Sequence, residues 1–119
     1  MDAANVVGSR PDGWWRDRPG AAHRLHEQLV AGLEGEEVVL VLEGAARAGQ
    51  PVGQAGTVRT VHASGSGDDA IVAVAREQVA GGREVVVVTA DRGLRTRVEA
   101  GGAEVESPSW LLQRLGPGR

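Results

Sequence analysis

The chain has no cysteine, which excludes disulfides and thiolate metal sites. It has no lysine either: all 13 basic residues are arginines, and with 18 glycines this is as much a compositional bias as a functional signal. Excess positive charge is also absent. The net charge of -3 argues against bulk electrostatic capture of nucleic acid, while leaving room for a local basic patch. No apolar run is long enough to span a membrane, and no signal peptide is visible. The expectation is a cytoplasmic protein without membrane contact.

What is present is enough for one folded domain over residues 1–119, since 41% of the residues are hydrophobic, mostly Val, Ala and Leu. The stretch from Glu84 to Leu94, EVVVVTADRGL, organises the rest. Its consecutive valines suit a strand buried on both faces, expected over Val85–Thr89. A second such strand is expected over Val38–Leu42, a less buried one over Thr57–His62, and a short last one over Ala103–Glu106. Helices are expected over Pro19–Leu33, with Ala22, Leu25, Leu29, Val30 and Leu33 on one face, over Asp68 to about Ala80, over Arg92–Ala100, and after Ser107-Pro108. Gly8–Arg18 and Ala45–Gly56 read as loops. Strands alternating with helices predict a parallel sheet with right-handed crossovers.

In such a sheet, ligands bind beyond the carboxyl ends of the strands. Asp2, Glu43, Asp68, Asp69 and Asp91 all fall at strand ends or at the starts of the following helices. Two unit charges about 4 Å apart repel by roughly 4 kcal/mol at an effective dielectric near 20. Gathered carboxylates therefore need protons or a cation. An oxygen-only ligand set suits Mg²⁺ or Mn²⁺, whose chemistry fits hydrolysis of a phosphodiester. Each acid also has a structural use. Asp91 can cap the next helix, Asp69 stands three after Ser66 as in a capping box, and Asp68 suits a helix N-terminus. A competing pattern is Gly65-Ser-Gly67-Asp68-Asp69-Ala70, which matches G-x-G-x-x-A of dinucleotide-binding folds. Two aspartates facing a pyrophosphate speak against it.

Asp2-Ala-Ala-Asn5-Val-Val resembles the Asp-Gly-Tyr-Asn-Val-Ile opening of the NYN domains, a branch of the PIN-like nucleases. Gly67-Asp68-Asp69-Ala70-Ile71 resembles the Ala-Asp-Asp-x-Ile helix start of the bacterial YacP-like NYN group. Val88-Thr89-Ala90-Asp91-Arg92 resembles its Val-Thr-Ser-Asp-Arg. The motifs occur in order and cover nearly the whole chain. The resemblance implies a PIN-like three-layer α/β/α sandwich with a mostly parallel central sheet. It implies a metal-dependent endoribonuclease or an RNA-binding role, with Asp2, Asp68 and Asp91 holding Mg²⁺ or Mn²⁺ and Asp69 accessory to them. Asn5 would orient the first acid or a water, and Arg92 would meet a phosphate oxygen. The family acid ahead of Ala-Asp-Asp is replaced near Gly65, which lowers the expected metal affinity. In the family a first strand precedes the opening motif. The expectation is that a few apolar residues belong upstream of Met1, and that without them the first strand is stunted and Asp2 loosely held.

Trp14 and Trp15 lie among Arg10, Arg16 and Arg18, a mixture that can stack unpaired bases and hold phosphates. One Trp is expected to pack on the sheet edge and the other to meet substrate. His23 and His26 read as surface residues, His62 as a proton donor near the acids, and Trp110 as core. The reading is hydrolysis of single-stranded RNA. The alternatives are a non-catalytic RNA-binding adaptor of the same fold and a Rossmann-type nucleotide binder. A homo-oligomer is left open.

Overall fold

The computed structural model describes residues 1–8, 13–33 and 35–115. It is a mixed α/β structure. Helix α1 (Ala3–Gly8) is followed by a 3-10 turn (Trp14–Arg16) and α2 (Arg18–Gly32). Strand β1 (Val38–Leu42) leads through a 3-10 helix (Gly44–Gly49) to β2 (Gly53–Ala55) and β3 (Val58–His62). Then come α3 (Gly67–Ala80), β4 (Val86–Val88), α4 (Arg92–Ala100), β5 (Glu104–Glu106) and α5 (Pro108–Leu115).

Helix ends follow local chemistry. Asp17 caps α2, its Oδ1 accepting the Gly20 N–H at 3.0 Å, and Pro19 sits where its missing N–H costs nothing. Gly101 and Gly81 close α4 and α3. Ser66 precedes α3, but its hydroxyl makes no cap bond, so the capping box expected with Asp69 does not form.

The strands form two small sheets rather than one mostly parallel sheet. One has the order β1-β3-β2 and the other pairs β4 with β5. β1 runs parallel to β3, and β4 parallel to β5. The stretch expected as a loop supplies β2, which turns back antiparallel onto β3 through Gly56, whose φ of +58° suits glycine. Met1 and Asp2 lie between the two sheets. Asp2 pairs with Val41 in a parallel bridge and donates its N–H to the Val88 carbonyl at 3.2 Å. The Met1 ammonium donates to the Val39 carbonyl at 2.7 Å, and burial lowers its pKa to about 6. Beyond Met1 the facing edges of β1 and β4 part around a cleft of about 470 Å³ bordered by Val39, Val41 and Val85. This is why β4 is not buried throughout: Val87 and Val88 are buried, but Val86 is 43% exposed.

β1 serves two cores by its period of two. Leu40 and Leu42 face Val6, Leu25, Leu29 and Leu111, from α1, α2 and α5. Val41 joins Ile71, Ala75, Leu94 and Val98, from α3 and α4. His26 corrects the surface reading: it is 7% exposed, because it sits one helical turn after Ala22 and one before Leu29 on the buried stripe of α2. His23 is exposed and faces Glu27 at 2.5 Å.

Candidate acidic site

The bridge that seats Asp2 between the sheets brings it to the point where β4 ends. Asp2 is buried, with 5% exposure, and both of its carboxylate oxygens are engaged. Oδ2 accepts from the Thr89 hydroxyl at 2.8 Å, and Oδ1 from the Asn5 N–H at 3.3 Å. Thr89 in turn accepts the Asp91 N–H on its hydroxyl oxygen at 3.1 Å. The Asn5 side chain reaches the same loop, its Oδ1 accepting the Ala90 N–H at 2.9 Å. Asp2 is therefore held firmly, against the expectation of a loose N-terminus. Asn5 orients it through its main chain while its side chain pins the β4–α4 turn. Thr89 joins the acidic site through these bonds, a position the sequence motifs do not single out. The available signal was a hydroxyl at the last residue of a buried strand, beside an acid.

Asp91 caps α4, its Oδ1 accepting the Leu94 N–H at 2.9 Å. The residue is exposed. Glu43 follows β1 and accepts the Gly67 N–H on Oε2 at 2.7 Å. A Cβ on Gly67 would stand 2.8 Å from that carboxyl group, so the close approach needs glycine there. The amide that a dinucleotide pyrophosphate would need at the start of α3 is thus already given to a carboxylate.

Asp68, in the first turn of α3, feels this group most directly. Burial, and then the charges of Asp91, Asp2 and Glu43, push its carboxyl above the ordinary range, with Arg97 acting the other way. Asp69 does not contribute to that effect. It is exposed and pairs with Arg97 at 2.9 Å. Among the described residues, no ion pair reaches Asp2, Glu43, Asp68 or Asp91. Nor do three of the acids stand close enough together to hold a metal ion directly. Among the described residues the acids lack a direct ion pair and a finished coordination shell, with Arg97 and the Met1 ammonium offsetting their charge only from a distance.

Of the arginines after Asp91, Arg95 pairs with Glu99 and Arg97 with Asp69. Arg92 is exposed and has no ion pair among the described residues. Trp14 is half-buried against the core, with the Arg18 guanidinium over its ring at 5.6 Å. Trp15 is 56% exposed, meets Trp14 edge-on at 6.2 Å, and carries Arg16 over its ring at 5.9 Å. Arg10 lies outside the described residues. His62 is engaged with the Gln50 carbonyl at 2.7 Å. Trp110 is half-buried and covered by Arg114 at 4.9 Å.

No family model matches this sequence, and no curated protein matches it. Among solved structures the fold is similar to a crystal structure of a point mutant of Rae1 (YacP) from Bacillus subtilis. The TM-score is 0.66 at 17% identity, covering 96% of this chain and 71% of that one. The fold is thus YacP-like. No helix among the described residues is long and apolar enough to cross a membrane.

Proposed function

We propose that this chain is a YacP-like NYN protein, built as a PIN-like three-layer sandwich, whose acidic edge hydrolyses phosphodiesters of single-stranded RNA. The observation that carries this is the seating of Asp2. A carboxylate is buried and oriented by Thr89 and Asn5, beside Asp68, Asp91 and Glu43, and among the described residues none of them has an ion pair. Burying charge in this way is costly unless something offsets it. A hard divalent cation that keeps much of its own water, Mg²⁺ or Mn²⁺, suits such oxygen donors. Bound there, it would supply an acidified water and charge shielding for the phosphodiester.

Asp2, Asp68 and Asp91 are the groups to hold the cation, with Asp69 accessory to them. Asp2 has its position set by two hydrogen bonds before any ligand arrives, which limits reorganisation. Asp68, whose carboxyl is raised by burial and then by the charges of Asp91, Asp2 and Glu43, is the acid best suited to hold or pass a proton. Arg92, exposed and without an ion pair among the described residues, would meet a phosphate oxygen. Trp15 with Arg16 offers an exposed ring and a charge to an unpaired base.

The test is cleavage of a labelled single-stranded RNA with Mn²⁺, with and without chelator, by the native chain and by Asp91→Asn. Chelator-sensitive cleavage that disappears in Asp91→Asn is the expected result. One observation favours a second reading, a non-catalytic RNA-binding module: no three acids converge among the described residues. RNA binding with no cleavage under any metal condition would select that reading.

A further inference from the structure

A cavity of about 390 Å³ lies beside the acidic edge, between α1, the Trp14 turn, α2 and the turn after β1. Small residues make the room: Ala3, Gly44 and Gly65 line it. Trp14 supplies an aromatic wall, Arg18 a cation and Glu43 an anion. Two of these residues join the cavity to the acids. Ala3 directly follows Asp2, and Glu43 both lines the cavity and bears on Asp68.

We propose that this cavity takes an unpaired nucleobase of the RNA, guanine by preference, and so selects which phosphodiester is presented to the acids. The inference rests on reading the acidic edge as an RNA-handling site. A mainly apolar pocket of this size with a few convergent polar groups is the form that small-ligand sites take. An indole wall matches the flat face of any base. The polar edge chooses among bases. Arg18 is a forked donor suited to the O6 and N7 acceptors of guanine. Glu43 gives one oxygen to Gly67, and its other oxygen can accept from the guanine N–H groups. Adenine, cytosine and uracil each fail to present that combination of acceptors and donors. The Arg18 guanidinium lies over the Trp14 ring at 5.6 Å, so it swings from the indole to the edge of the base as the base stacks.

Calorimetric titration with the four ribonucleoside 5′-monophosphates, in chelator, tests this on the full chain. Guanosine monophosphate is expected to bind roughly tenfold more tightly than the other three. Gly65→Leu should weaken it by at least roughly tenfold, the loss that follows from one stacking contact. A Cβ at Gly65 meets nothing within 4 Å, so the variant should melt at the native temperature. Arg18→Gln, at an exposed side chain, should weaken it likewise. No binding, or binding unchanged in both variants, would overturn the pocket. Equal binding of all four would overturn the choice of guanine. Chelator removes cleavage from the readout. RNA cleavage without nucleotide binding would therefore defeat this inference alone, and nucleotide binding without cleavage would defeat only the nuclease reading.

Discussion

The Thr89 hydroxyl donates to Asp2 Oδ2 at 2.8 Å across 87 positions of sequence, and the bond is buried. It ties the first acid of the chain to the end of β4, and through the Asp91 N–H it ties a second acid to the same hydroxyl. Thr89→Val keeps the shape of the side chain and removes both bonds. The expected cost is about 2 kcal/mol, because a buried carboxylate loses a donor. Thr89→Ser should recover most of it. Urea denaturation of the three proteins checks this, and equal midpoints would show that the hydroxyl does not hold Asp2.

Asp91 has two roles that substitution can separate. Asparagine is as good an N-cap as aspartate, so Asp91→Asn should leave stability within about 0.5 kcal/mol of native, while Asp91→Ala should lose about 1 kcal/mol. Both should abolish cleavage. A stable, inactive Asp91→Asn separates charge from capping; an active one would remove Asp91 from the chemistry.

Asp68 should make the protein less stable near neutral pH. Its carboxyl lies above its ordinary value of 3.8 in the folded chain, so the folded state holds the proton more tightly than the unfolded one. That contribution is full below 3.8 and is lost as pH rises through the raised folded value. Asp68→Asn should therefore raise Tm at pH 7, and the gain should fade below the ordinary carboxylate range. Mn²⁺ should raise the Tm of the native chain and do so less for Asp68→Asn. A Tm gain that is the same at all pH values would rule out the charge argument.

Glu43 is one source of that repulsion. Glu43→Gln removes the charge and keeps an acceptor for the Gly67 N–H, so the Asp68 carboxyl should titrate at lower pH in the variant, followed by NMR. An unmoved titration would place Glu43 outside the acidic group.

His26 acts with the opposite sign. Burial, and then the charge of His23, lower its pKa from 6.5, with Glu27 raising it in part. Its contribution is full above 6.5 and is lost as pH falls through the lowered folded value. The Tm of the native chain should fall between neutral and mildly acid pH, and His26→Leu should reduce that fall. Parallel Tm-pH curves for the two proteins would contradict this assignment.

Local sequence determines a good deal of this protein. The valine runs specify β1 and β4, the spacing of Leu25 and Leu29 specifies a helix, and the acids are read directly at the element ends. These are short-range consequences of side-chain shape and period, so they are legible in one dimension. The polarity of His26 points to the surface, while its position on the apolar stripe of α2 buries it. β2 is not legible in sequence, because Gly53–Ala55 has no pattern of its own and is a strand only by pairing with β3.

The site was decided by tertiary structure. The sequence motifs place Asp2 at the acidic edge, but its exact seat between β1 and β4 comes from main-chain partners on distant strands. The same holds for Thr89 with Asp2 and for Gly67 with Glu43, where each bond joins groups far apart in the chain. The pairing of Asp69 with Arg97 is settled in the same way, by how α3 packs on α4. Sequence names the charges, but their separations depend on packing, and electrostatic energy depends on separation.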